Sequence, residues 1–254
     1  MSAIGVTRLA LRENRKRIAL LIAFAGLFVI SGFVTRILAG GPEGHIEFDR
    51  LLMMGGYPVI SAVLLLGWLL GRYPMIAALV LTSGIISRDR EQRYLRIYSV
   101  RPGSRIALYA QRFIVMAAAA FVLSVLLLPV FDVLMLGKWA GPGTLLLIYS
   151  YVIVYASLTT LLSVWLRADA WIALALGLAA MIWNAMGRAD ILQHAPPVIR
   201  ELVTFILPPQ GALFAIEQAY GAEQPIPMAP VLYVTAYAIV ALSAAAVFLR
   251  DVEI

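Results

Sequence analysis

The chain has 254 residues, of which 62% are hydrophobic and only 13% are charged. Because about a quarter of the residues of a soluble domain are charged, this composition excludes an ordinary soluble fold and indicates a membrane protein. Cysteine is absent, which excludes disulfides and thiolate metal sites.

Six apolar runs are long enough to cross a bilayer, for which a helix needs about 20 apolar residues. They cover residues 18–38, 51–86, 106–136, 144–166, 170–186 and 231–249. Helices satisfy their own backbone groups in lipid, so we predict one all-α, polytopic transmembrane domain over residues 1–254. The second and third runs exceed the required length, which indicates a tilt, an interfacial extension or a break. Gly71, Arg72 and Pro74 favour a break in the second.

Residues 1–17 form a basic amphipathic stretch ahead of the first span, and we predict an interfacial helix there. The apolar run that follows is longer than the core of a signal peptide, and no small-residue cleavage site stands out before Gly40. We therefore expect the first span to be retained.

The charges divide unequally between the two sides that six spans would create. Fourteen Lys and Arg with six Asp and Glu fall on the side of the N-terminus, against five and eight on the other side. Since basic residues mark the cytoplasmic side, we predict that both termini are cytoplasmic and that the chain lies in the cytoplasmic (inner) membrane of a bacterium. Topology and lipid headgroups then explain the basic charge, so membrane lipid is an expected partner and nucleic acid is not.

Catalytic motifs are missing from the sequence. The two histidines, His45 and His194, fall in predicted outer loops, and Gly137-Lys138 is followed by Trp139 rather than by the Ser or Thr of a phosphate loop. We predict no catalytic residue, no metal ligand and no cofactor in this chain. Any ATP-driven function would require an ATPase on a partner.

Arg72 is the cation farthest from either end of an apolar run, and a charge there costs several kcal/mol unless it pairs or reaches the membrane interface. It could face a translocation path, lie nearer the interface, or pair with an acid such as Asp132. Tyr151 and Tyr155 are further candidates for the path, although aromatic residues also gather at membrane interfaces.

Residues 187–230 are long for a loop between the fifth and sixth spans. Two apolar pieces, 198–206 and 212–219, flank Pro208 and Pro209, and each is too short to cross the membrane. We predict two short helices that enter the outer leaflet and return, with the two prolines as an outer gate.

Residues 88–101 hold the densest group of charges in the predicted cytoplasmic loop 87–105. Tyr94, Leu95 and Tyr98 would share one apolar face of a short helix, with Arg90 and Arg93 on a neighbouring stripe. Pro102 would end this helix. Positive charge alone could serve topology, but acids and exposed tyrosines favour a protein partner.

This stretch resembles the permeases of type-2 ABC exporters. Residues 86–96, ISRDREQRYLR, and 102–105, PGSR, match in register a family pattern between the second and third spans, with Arg93 and Tyr94 replacing the family's Gly and Thr. The basic N-terminus, the six spans, the segment around Pro208 and Pro209 and the C-terminal residues 248–251 are also similar to that family.

The resemblance implies a coupling helix over residues 89–98 that sits in a cleft of a cytoplasmic ATPase subunit. ATP and Mg²⁺ would bind that subunit, and two copies of it would serve two permease chains, either a homodimer or a pair with a paralogue. The predicted substrate is hydrophobic or amphipathic. The residues assigned to ATPase coupling are Asp89, Arg90, Glu91, Arg93, Tyr94, Leu95, Tyr98, Pro102 and Arg105.

Two other functions stay open. An ion-gradient-driven transporter or channel would need carboxylates within its spans, and only Asp132 approaches that requirement. The second is a membrane scaffold that transports nothing.

Overall fold

A computed structural model describes residues 3–39, 71–91, 105–136, 138–139, 141–189, 191, 196–222 and 224–251 of the chain. Every regular element within these residues is helical. In chain order the helices are α1 (Ala3–Glu13), α2 (Arg15–Ala39), α3 (Tyr73–Thr82), α4 (Ser87–Glu91), α5 (Arg105–Leu136), α6 (Gly143–Ser163), α7 (Asp169–Arg188), α8 (Pro197–Ile206), α9 (Gln210–Gly221) and α10 (Met228–Asp251).

Five of these helices, α2, α5, α6, α7 and α10, are long and apolar enough to cross a membrane. They coincide with five of the six predicted spans, so the prediction of an all-helical integral membrane protein is confirmed. The remaining predicted span, residues 51–86, lies partly outside the described residues. Its described part is residues 71–86, which contain α3 and the turn at residues 83–86 that follows it.

Helix α6 is the centre of the bundle. Two thirds of it is buried, against a third or less of each of the other four long helices. Helices α3, α5, α7, α9 and α10 all pack on it. Helix α2 packs on α3 and α5 and leaves Leu20, Leu27 and Ile30 more than half exposed, as a lipid-facing helix would.

The two ends of α6 define the two ends of the bundle, which we call the Ser163 end and the Gly143 end. At the Ser163 end, Arg17 of α2 donates a hydrogen bond to the carbonyl of Ser83, and Trp165 packs on Phe248 of α10 with ring centroids 4.3 Å apart. Hence the beginning of α2 and the end of α10 lie at the same end of the bundle.

At the Gly143 end, α9 meets α5 and the beginning of α6. Tyr220 of α9 donates its hydroxyl to the carboxylate of Asp132 of α5, at 2.8 Å and 2.9 Å from the two oxygens. The side chain of Ile226, just before α10, lies against Gly143. Helices α2 and α5 therefore run from the Ser163 end towards the Gly143 end, and α6 and α10 run in the opposite direction.

The predicted N-terminal helix is present as α1. Its Val6 and Ala10 are buried, and the helix packs on α5 and α2. Arg8 and Arg12 are exposed. One face of this amphipathic helix is thus covered by the bundle itself.

The segment between α7 and α10 contains the two short helices that the sequence predicts. Helices α8 and α9 meet at an angle of 71° across Leu207, Pro208 and Pro209. The break follows from the prolines, since Pro208 and Pro209 have no N–H to continue the hydrogen bonds of α8. Pro208 and Pro209 are buried, whereas α8 has no buried residue.

Candidate functional sites

A group of polar side chains lies within the helical bundle, and Arg72 is the positively charged member of this group. Arg72 precedes the first turn of α3 with backbone angles φ −94° and ψ 0°, outside the regular helix. Pro74 stands in that first turn, where its missing N–H costs no helical hydrogen bond. The predicted break in this segment therefore corresponds to a helix boundary that directs Arg72 towards α6 and α9.

Arg72, Tyr151 and Glu217 form a closed triad, although Arg72 and Glu217 are 145 positions apart in sequence. The Arg72 guanidinium forms an ion pair with the Glu217 carboxylate, and its Nη2 donates to Glu217 Oε2 at 3.1 Å. Arg72 Nη1 lies 2.6 Å from the Tyr151 hydroxyl, which itself donates to Glu217 Oε1 at 2.6 Å. The side chains of Arg72 and Glu217 are 11% and 21% exposed, so this pair is largely removed from solvent.

The triad lies near the middle of the bundle. Helix α6 has 21 residues, which at 1.5 Å per residue is about 31 Å, close to the thickness of a bilayer core. On the same basis Tyr151 is about 12 Å and Tyr155 about 18 Å from the Gly143 end. Arg72 is therefore paired with an acid inside the bundle, which agrees with the alternative of a paired charge.

Tyr155, one turn from Tyr151, packs tightly against α7 and α9. Its hydroxyl donates to Oε1 of Gln210, the first residue of α9, at 3.4 Å. A Cβ added at Gly177 of α7 would come within 2.8 Å of the Tyr155 ring and hydroxyl, so only glycine permits this approach.

The structure thus brings together the three residues predicted for a translocation path, Arg72, Tyr151 and Tyr155. The tyrosine rings stack with centroids 6.2 Å apart, and both are fully buried among α6, α7 and α9. The partner suggested for Arg72, Asp132, is wrong, because Asp132 accepts from Tyr220 and Glu217 pairs with Arg72. Sequence reasoning missed Glu217 and Gln210. Glu217 is a polar side chain within the apolar piece 212–219, and Gln210 lies between the two apolar pieces.

A second polar group lies at the Ser163 end and centres on Asp169, the first residue of α7. This carboxylate is fully buried. It accepts hydrogen bonds from the Ser83 hydroxyl and the Gly84 N–H, both at 2.8 Å, and more weakly from the Ser87 hydroxyl at 3.4 Å. One side chain therefore joins α7 to the turn between α3 and α4.

Ser163, the last residue of α6, holds the same turn from its other side. Its hydroxyl oxygen accepts from the N–H groups of Ile86 and Ser87, at 3.0 Å and 2.9 Å. Gly84 has φ +74°, a left-handed conformation that glycine adopts without steric cost. This conformation directs the Gly84 N–H to Asp169.

Two arginines complete the connections of this turn. Arg17 of α2 donates to the carbonyls of Val80 and Ser83, at 3.1 Å and 2.5 Å. Arg90 of α4 donates to the carbonyls of Val164 and Trp165, which follow α6. The turn and α4 are consequently tied to α2, α6 and α7, and we call residues 83–91 with these partners the junction.

The residues assigned to ATPase coupling are distributed around the junction. Asp89 is buried, accepts from Arg112 Nη1 at 2.6 Å and from the Tyr109 hydroxyl at 3.1 Å, and so faces α5 rather than the surface. Glu91 is exposed and pairs with Arg167, whose Nε lies 3.1 Å away.

Arg105 is the first residue of α5. Arg90 donates to the carbonyl groups that follow α6. Outside the described residues lie Arg93, Tyr94, Leu95, Tyr98 and Pro102. Sequence reasoning missed Ser163 and Asp169. An acid such as Asp169 is typical of the first turn of a helix, but Ser163 at the end of α6 carried no comparable signal.

Comparisons with known proteins return no match: no family model, no curated protein and no solved structure corresponds to this chain. The fold and its two polar groups define a helical integral membrane protein with a buried ion pair at mid-depth and a tightly bonded junction at one end.

Proposed function

We propose that the chain is the membrane-spanning permease subunit of an ATP-binding-cassette exporter of the type-2 class. Two such chains would enclose a path for a hydrophobic or amphipathic substrate, and two ATPase subunits would bind ATP and Mg²⁺ and drive the transport. The chain itself would catalyse nothing.

The observation that supports this proposal best is the junction. A coupling element must transmit a push from a cytoplasmic partner to several spans. The segment 83–91 is bonded to α6 through Ser163, to α7 through Asp169 and to α2 through Arg17, and Asp89 ties it to α5 through Arg112. A displacement of α4 would therefore move four helices together.

The direction of the helices supports the proposed topology. The junction and the beginning of α2 lie at the Ser163 end, where the sequence concentrates its arginines. If that end is cytoplasmic, the positive-inside rule is obeyed and both the first and last helices have their terminal ends in the cytoplasm.

The contacts of α9 support a re-entrant outer segment. Gln210, at the beginning of α9, contacts Tyr155 about 18 Å down α6, and Tyr220, near its end, contacts Asp132 at the Gly143 end. Helices α7 and α10 both reach the Gly143 end on either side of this segment. The chain would thus enter the membrane to mid-depth at Pro208 and Pro209 and return along α9, which makes this hinge a candidate outer gate.

The test uses the purified chain together with a candidate ATPase subunit, in a pull-down and in an ATP hydrolysis assay. Glu91 is exposed at the junction, so Glu91→Ala should weaken assembly or reduce the permease-dependent change in ATP hydrolysis without unfolding the chain. Tyr98→Ala, in the segment assigned to coupling, should do the same.

Glu201→Ala is the matched control, because Glu201 is an exposed glutamate on α8, far from the junction in the fold. Assembly and hydrolysis that stay at the wild-type level in both test variants would refute the coupling assignment.

One observation favours the alternative, an ion-gradient-driven transporter. Glu217 is a carboxylate at mid-depth, where such a transporter holds a coupling ion or proton. Against this, both Glu217 oxygens already accept from Arg72 or Tyr151. Substrate flux in proteoliposomes that responds to an imposed proton or sodium gradient without ATP, and that Glu217→Gln abolishes, would select this alternative.

A further inference from the structure

A cavity of about 270 Å³ lies beside the hinge of the outer segment, between α7, α8 and the first turn of α9. Its position follows from the 71° angle between α8 and α9, which holds α8 away from the bundle. Trp183 of α7 donates its Nε1–H to the Thr204 hydroxyl of α8 at 3.2 Å, and both residues line the cavity.

The charged lining of this cavity is cationic. Arg188 at the end of α7 and Arg200 on α8 both line it, and no acidic side chain is among its described lining residues. The Arg188 guanidinium packs over the ring of Phe214, with its Cζ 3.7 Å from the ring centroid, which limits its orientations. Gln210, Gly211 and Ala212 contribute the first turn of α9, whose peptide dipoles add partial positive charge.

The remaining wall is mostly apolar. Ala180, Trp183, Leu207 and Tyr233 line it, and the exposed lining is predominantly carbon. Arg188 lies 19 residues from the beginning of α7, about 29 Å along that helix, so the cationic part is at the Gly143 end of the bundle, which is the outer side in the proposed topology. Ala180 lies eight residues earlier, about 12 Å deeper. The cavity is therefore charged at its outer part and apolar towards the membrane interior.

We propose that this cavity binds an amphipathic anion, with a phosphate or carboxylate head between Arg188 and Arg200 and an alkyl chain along Ala180, Trp183 and Leu207. Arginine suits this head, because its planar guanidinium donates two parallel hydrogen bonds to either group. The binding step is independent of the proposed ATPase partner. If the exporter function holds, this proposal names its substrate class and makes the cavity a site on the outer side of the path.

The test measures binding of dodecyl phosphate with bromine at its chain end to the purified chain in an uncharged detergent, without any ATPase. Bromine quenches a tryptophan that it contacts, so quenching should saturate in the wild type, and the component lost in Trp183→Phe is assigned to the cavity. Dodecyl trimethylammonium with the same bromine should produce no saturable component, since its head is cationic.

The variants Arg188→Gln and Arg200→Gln should each weaken binding about tenfold, which corresponds to about 1.4 kcal/mol. Lys138→Gln is the control, because it removes the same charge at the Gly143 end but Lys138 is not a lining residue. Equal quenching by the cationic and anionic amphiphiles, or full binding by the double variant of Arg188 and Arg200, would overturn the proposal.

A second arm separates a membrane lipid from a transported amphiphile. In nanodiscs, phosphatidylglycerol that displaces the brominated dodecyl phosphate, where phosphatidylcholine does not, would support the anion site and identify a lipid headgroup as its occupant. Retention of the probe in both lipids would support the same site with a free amphiphile as occupant. An exporter test that fails while the probe still binds would refute the proposed function and leave the cavity proposal standing.

Discussion

Removal of the Asp169 carboxylate should destabilise the junction more than any other single truncation there. Asp169 is fully buried and accepts two hydrogen bonds of 2.8 Å from another element, from Ser83 and from Gly84. A hydrogen bond to a charged group contributes about 1.5–3 kcal/mol, so Asp169→Ala should cost about 3–6 kcal/mol. For a chain of this size the lower value corresponds to a fall in melting temperature of about 10 °C.

Two smaller substitutions separate the contributions of the two hydrogen bonds. Asp169→Asn keeps one oxygen for the Gly84 N–H, and its amide can donate to the Ser83 hydroxyl, so the loss should be about half that of Asp169→Ala. Ser83→Ala removes only one of the two bonds and should cost about 1–3 kcal/mol.

Thermal unfolding in detergent and hydrogen exchange of the peptides that cover residues 83–91 provide the two measurements. Asp169→Ala should lower the melting temperature and increase exchange in this segment, whereas the exposed control Glu201→Ala should change neither. Equal melting temperatures of Asp169→Ala and Ser83→Ala, together with wild-type exchange of residues 83–91, would contradict the role of Asp169 in the junction.

Three further perturbations address the buried triad and the two close backbone sites. Arg72→Met and Glu217→Gln should each cost about 3 kcal/mol of unfolding free energy, because each leaves a buried partner uncompensated, and the double variant should cost less than their sum in a thermal-unfolding cycle. Gly84→Ala should cost about 1–2 kcal/mol by the same measurement, because φ +74° is a left-handed conformation. Gly177→Ala should cost about 1–3 kcal/mol through its clash with Tyr155, and Tyr155→Phe should recover part of that loss by removing the hydroxyl.

Each of these three predictions has an outcome that would contradict it. Strict additivity of the Arg72 and Glu217 variants would mean that the two side chains do not interact. Gly26→Ala is the control for both glycines, because nothing lies within 4 Å of its added Cβ, and it should be neutral or slightly stabilising. A Gly84 or Gly177 variant as stable as the Gly26 variant would contradict the strain or the clash, respectively.

The spans were predictable because their signal is local. A run of apolar residues identifies a membrane helix wherever it occurs, and the predicted span 170–186 differs from α7 by only one or two residues at each end. The hinge at Pro208 and Pro209 was predictable for a similar reason, since proline ends a helix through its own missing N–H.

The polar contacts of the interior were not predictable in this way. The sequence raises Arg72 as a charge that needs a partner, but it points to Asp132, which is nearer to it in sequence than Glu217 is and lies in a predicted span. The true partner belongs to the segment 187–230, which the sequence predicts to enter the membrane and return. Nothing in the sequence indicates that α9 packs on α6 so that Glu217 meets Tyr151.

The coupling stretch also has features that the sequence shows and features that only the fold shows. Its charges and its place after the second span are visible in the sequence, and so is the exposed Glu91. That Asp89 faces inward to Arg112, and that Asp169 and Ser163 hold the turn before α4, depends on side chains about 20 to 90 positions apart. The periodicity of residues within one helix carries no information about pairs between different helices.

The sequence by itself therefore determines that this is a helical membrane protein, where most of its spans lie and where the segment between α7 and α10 breaks. Burial of apolar residues and the chemistry of proline act within a few turns of chain. Tertiary structure alone decides which buried charges meet and which carboxylate holds the junction. A buried polar group must be satisfied by whatever packing brings to it, and that choice is made between helices rather than along them.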